Sequence, residues 1–149
     1  MPLKGVNSKP ASREENEKVL KDAFLEMLHL QFLMYFHDEE LQAIARWQMD
    51  QKNRLLNNVK NVMEIRASHF FDSADQFFKD SKLNFRVVSA ILSSAVCYMA
   101  SCAKVSGHPI GGLSLDTFQG RTEVINTLNQ IVDMIFSLCG PKNRIEPIM

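Results

Sequence analysis

The sequence predicts an all-α protein, a layered bundle of helices around a central hydrophobic one. Three observations carry that expectation. Proline is absent between Pro10 and Pro109 and glycine from Asn7 through Ser106, so about a hundred residues run without the usual helix breakers. Apolar residues recur at spacings of three and four in successive segments, and no run alternates like a strand between hairpin signals. One segment is apolar on every side, as a helix buried all round would be.

The first helix opens at Ser12, where Glu15 three residues on completes a capping box. Leu20, Phe24, Met27, Leu28 and Gln31 follow helical spacing until the pattern fades near Phe36. His37 and Asp38 are too few for a loop, so a second helix starts at once over 38–49. Its apolar face is Leu41, Ile44, Ala45 and Gln48, with Trp47 to one side. A third segment, 55–65, presents Leu55, Val59, Val62 and Met63. A fourth, 68–79, carries Phe70, Phe71, Ala74, Phe77 and Phe78.

The fifth segment, 83–105, is the all-apolar one and is expected at the centre of the bundle. Its uncharged run from Val87 to Ala103 is also the one candidate for a membrane span. Four serines, minimal length and the flanking Arg86 and Lys104 fit a core helix better. A loop over 107–120 holds Pro109, Gly111 and Gly112. The sixth helix, 121–138, shows Val124, Leu128, Ile131, Ile135 and Leu138 and stops at Gly140-Pro141. The domain organisation expected is a flexible segment over 1–12, a helical domain over 13–140 and a tail over 141–149.

Hydrophobic residues make up 46% and charged residues 23%, a globular balance rather than that of a disordered chain. Seventeen basic residues balance seventeen acidic ones, which speaks against a nucleic-acid binder that works by neutralising phosphates. Ten Phe and eight Met beside two Tyr and one Trp point to a soft interior or a greasy binding surface. The polar N-terminus lacks the apolar run of a secretory signal, so an intracellular, cytoplasmic protein is expected. Cys97, Cys102 and Cys139 have no metal-ligand spacing and read as free buried thiols in a reducing compartment.

Chemistry-bearing clusters are sparse. His29, His37, Asp38, Glu39 and Glu40 invite a metal reading, but Glu26-x-x-His29 occurs once where a di-metal bundle needs two copies. The serines and cysteines lack a convincing base. Gly107-His108-Pro109-Ile110-Gly111-Gly112 neither follows a strand nor precedes Lys-Ser/Thr. No enzyme, metal or cofactor is expected.

The stretch Phe77-Phe78-Lys79-Asp80-Ser81-Lys82-Leu83-Asn84-Phe85-Arg86-Val87-Val88 resembles the first homology motif of the Bcl-2 apoptosis regulators. That motif reads approximately Leu-Phe-x-Asp-Gly-x-Asn-Trp-Gly-Arg-Ile-Val and opens the family's central helix. Phe78, Asp80, Arg86 and Val88 match, with Phe77 and Val87 as conservative changes. The family's Asn-Trp-Gly becomes Leu83-Asn84-Phe85, so a bulky ring stands where a glycine admits a ligand helix. The second motif is unrecognisable around Cys139-Gly140-Pro141. In the third, Leu41 and Ala45 fit, while Arg46 replaces an acid. The erosion is similar to that of compact viral members.

The resemblance implies a Bcl-2-like bundle of about six to seven helices and a hydrophobic groove for the Bcl-homology-3 helix of a pro-death partner. Arg86 would meet that helix's aspartate. Phe85, Phe77, Phe70, Val59, Val62, Met63 and Ser73 would line the groove, and Phe85 would narrow or plug it. The plain alternative has Arg86 paired with Asp80 or capping a helix end. Arg46 disfavours a killer that offers its own second helix, since two arginines would then meet; an inhibitor of apoptosis is expected. Two other readings are an immune-signalling decoy that binds host proteins through outer helix faces, and a membrane-permeabilising effector. The resemblance also implies peripheral association with the mitochondrial surface, in host cytoplasm if the chain is viral. An empty apolar groove implies self-association as a homodimer.

Overall fold

The computed structural model describes residues 11–50, 54–105 and 109–139, and these are mostly helical. Five helices follow one another among the described residues: α1 (Arg13–His37), α2 (Glu39–Asp50), α3 (Arg54–Phe78), α4 (Phe85–Val105) and α5 (Phe118–Cys139). The all-α class expected from the sequence holds.

Helix α1 begins as its capping box dictates. The Ser12 hydroxyl accepts from the Glu15 amide at 3.2 Å, and the Glu15 carboxylate accepts from the Ser12 amide at 2.7 Å. At its other end Asp38 serves two helices. Its amide donates to the Met34 carbonyl at 2.9 Å, and its carboxylate accepts from the Leu41 amide at 2.9 Å to start α2.

The third and fourth expected segments are one helix. No glycine or proline interrupts 65–68, and Ser68 does not cap. Its hydroxyl donates back to the Ile65 carbonyl at 2.7 Å, which leaves the helix running through. Among the described residues the helices number five, where six to seven were expected.

The centre of the bundle also moves. Helix α1 packs against α2, α3, α4 and α5, whereas α4 packs mainly on α1 and α3. Leu20, Phe24, Leu28, Phe32 and Phe36 of α1 are all buried, a ridge of residues four apart. On α4, Phe85, Ser89, Val96, Ala100 and Ala103 face the core, while Val87, Ile91 and Tyr98 are 51%, 62% and 61% exposed. The expectation that this helix is buried all round is overturned, because one face finds α1 and α3 and the opposite face lies open. Apolarity on all sides left the inward face undetermined.

Two smaller shifts concern α2 and α5. Ile44 and Trp47, expected on or beside the buried face of α2, are 47% and 44% exposed. Gln42 is buried instead, and its amide donates to the Tyr35 carbonyl and, at 3.5 Å, to that of Phe36. On α5 the buried residues are Val124, Leu128, Val132 and Phe136, with Ile131 and Ile135 at the flanks. The preceding loop turns at Gly111 and Gly112, with φ of 58° and 79°, between Ile110 and Leu113. Two consecutive positive φ values suit a tight turn that glycine adopts without strain.

Candidate functional site

The motif-bearing segment forms the corner between α3 and α4. Helix α3 ends at Phe78, where the Ser81 amide donates to the Phe78 carbonyl at 2.9 Å. Asn84 caps the next helix: its side-chain oxygen accepts from the Val87 amide at 3.3 Å, and its carbonyl from the Val88 amide at 3.1 Å. That cap sets the rotation of α4. Successive residues diverge by about 100°, so Phe85 turns into the core and Arg86 turns out.

Phe85 is 2% exposed and lies within an aromatic cluster. Its ring stacks on Phe78 at 4.8 Å, meets Phe24 edge-on at 4.9 Å and reaches Phe136 at 5.9 Å and Phe70 at 6.0 Å. Phe85 therefore plugs no surface groove. The glycine-to-Phe departure from the family pattern fills the core.

Arg86 is held on the surface of α3. Its Nε donates to Asp75 at 2.8 Å, and its Nη2 donates to Asp72 at 3.1 Å and lies 2.8 Å from the same Asp75 oxygen. The guanidinium carbon lies 5.1 Å from the centre of the Phe71 ring. The hydrogen bond to Asp75 pushes the guanidinium pKa further up, against some desolvation and with added attraction from both carboxylates. The charge is permanent at any accessible pH. The alternative partner considered for Arg86, Asp80, gives way to Asp72 and Asp75.

Beside Arg86 runs the open face of α4. Val87, Ile91 and Tyr98 are joined there by exposed Ala90, Ser94 and Ala95. From Val87 to Tyr98 the face extends about 16 Å at 1.5 Å per residue and carries no charged residue. The span Phe85–Ala103 is long and apolar enough to cross a membrane, and 22% of it is buried.

The other expected groove residues are not gathered at this surface. Ser73 and Phe77 line a cleft of about 640 Å³ between the start of α1 and the end of α3, together with Arg13, Val19, Leu20 and Lys79. On α3 Ser73 and Phe77 lie roughly 100–160° around the helix from Asp72 and Asp75, so these two cleft residues and Arg86 occupy different sides of it. Phe70 is half-buried against Phe24, Phe71 and Phe85. The side chains of Val59, Val62, Met63, Arg46 and Cys139 lie outside the described residues.

Sequence reasoning missed Asp72 and Asp75, although acids three apart on the polar side of an aromatic helix were a readable signal. The outward residues of α4 had no such signal. Other polar side chains serve packing. His29 Nε2 and Asn129 Oδ1 are 2.9 Å apart between α1 and α5. Half-buried Cys97 lies beside Tyr35; burial pushes its thiol up, partly offset by the hydrogen bond from the Tyr35 hydroxyl. Among the described residues no group of three His, Cys, Asp or Glu could hold a metal ion.

Comparison with protein-family models, with curated proteins and with solved structures found no match.

Proposed function

We propose that the chain is a Bcl-2-like, non-enzymatic binding protein that captures amphipathic helices of pro-death partners and so inhibits apoptosis. The observation that carries this reading is a permanent cation, Arg86, at one end of an uncharged, exposed apolar face on α4. Helix recognition uses apolar anchors that recur once per turn or two, with one polar contact to set register. Val87, Ile91 and Tyr98 offer the first, and Arg86 offers the second to a carboxylate on the partner. The motif resemblance points to the same residue. The docking surface in this reading is the outer face of α4, with Phe85 beneath it in the core and Ser73 and Phe77 elsewhere. Capture of such helices suits an intracellular protein at or near the mitochondrial surface.

The test is calorimetric titration of the chain against a panel of Bcl-homology-3 peptides. We expect dissociation constants below about 1 μM for at least one peptide, loss of binding in Ile91→Asp and weaker binding in Arg86→Ala. Silence across the panel removes the reading. One observation favours a second reading, a membrane-permeabilising effector: the exposed face belongs to a helix of membrane-spanning length. Leakage from anionic liposomes, together with silence toward the peptides, would select it.

A further inference from the structure

The geometry points to Asp72 and Asp75 as a built-in competitor for the acidic residue of an incoming helix, so that they set which helices the face of α4 accepts. This inference rests on the helix-capture reading above and names the specificity device within it.

Both carboxylates come from α3, eleven and fourteen residues before Arg86, and both lie on the guanidinium. They engage Nε and Nη2, one edge of the guanidinium fork that pairs with carboxylates. A partner's carboxylate must then take the Nη1 edge or displace one of them. The local charge matters as much as the geometry. One cation flanked by two carboxylates carries a net charge of about −1, which repels a third acid. The same cluster leaves the apolar anchors untouched, because Val87, Ile91 and Tyr98 lie further round and along α4.

The competitor is easy to displace by its position. The side chains of Arg86, Asp72 and Asp75 are 46%, 71% and 47% exposed, so solvent screens their attraction. The pair therefore tunes affinity rather than closing the site. Helices with strong apolar anchors enter against it, and helices that depend on their acid do not.

The experiment uses the full chain and two synthetic amphipathic helical peptides. One carries an aspartate one turn before its apolar anchors, and the other has asparagine there. Wild type is compared by calorimetry with the isosteric double variant Asp72→Asn, Asp75→Asn, and circular dichroism checks that both are folded. The double variant should bind the aspartate peptide roughly two- to fivefold more tightly than wild type, the range expected for exposed ion pairs. The asparagine peptide should bind both chains alike. Equal affinity of both chains for the aspartate peptide, with Ile91→Asp still abolishing it, would overturn the inference and leave helix capture standing. No binding by either chain would overturn both.

Discussion

Truncation of Phe85 separates a core residue from a groove plug. The ring is 2% exposed and has four aromatic neighbours between 4.8 and 6.0 Å. Burying a phenylalanine side chain contributes about 1.5–3 kcal/mol, and removing it leaves a cavity among Phe24, Phe70, Phe78 and Phe136 that rigid rings fill poorly. Phe85→Ala should therefore cost about 3–5 kcal/mol, a large part of the 5–15 kcal/mol or so that holds an ordinary domain folded. Urea unfolding followed by circular dichroism measures it. With a slope of about 2–3 kcal/mol per molar for a chain of this size, the midpoint should fall by about 1–2.5 M at unchanged slope. Phe85→Leu keeps most of the volume and should lose less than about 1.5 kcal/mol. A loss below about 1 kcal/mol for Phe85→Ala would refute the core assignment, because a ring lying over a groove from outside gives up little when truncated.

Gly120→Ala should destabilise by at least about 1–3 kcal/mol by the same unfolding assay, because a Cβ there would lie 1.9 Å from the Ser114 carbonyl oxygen, a backbone atom with no room to yield. Arg121→Ala should loosen the 109–117 loop and cost about 1–2 kcal/mol. Its guanidinium lies 4.5 Å from the centre of the Phe36 ring and donates to the Leu115 and Asp116 carbonyls at 3.3 and 2.8 Å, so faster amide exchange in that loop is the direct readout. Cys97 gives a pH dependence. Its thiol pKa is raised in the native state by burial, so the native chain binds that proton more tightly than the unfolded chain does. The resulting stability is present in full below the ordinary thiol range, near 8.5, and is lost as pH rises through the raised value. The stability difference between wild type and Cys97→Ala should shrink across that window, and a difference that is flat from neutral to alkaline pH would count against it.

Much of the helical layout was readable because its causes are local. The capping box at Ser12 and Glu15 lies within one turn and forms as written. The buried residues Leu20, Phe24 and Leu28 recur at helical spacing among polar neighbours and turn inward as expected. The end of the last helix before Gly140-Pro141 follows from chain stiffness alone. The junction at 66–68 failed for an equally local reason: a serine within a helical run can either cap or bond backwards, and only the geometry of the Ile65 carbonyl distinguishes the two.

The candidate site was half legible. Arg86 stood out by motif and does lie on the surface, whereas its grip by Asp72 and Asp75 depends on how sharply the chain turns between Phe78 and Phe85. Ser73 and Phe77 share a helix with Asp72 and Asp75 yet face another side of it.

The helical content of this chain and its main breaks were written in the residues, since the 3.6-residue period, the caps and the glycine and proline positions act over a few residues each. Which helix lies at the centre, and which face of α4 meets solvent, were settled by packing. A helix apolar on every side has no preferred inward face until α1 and α3 occupy one, and the face they leave open is the surface on which the proposed function depends.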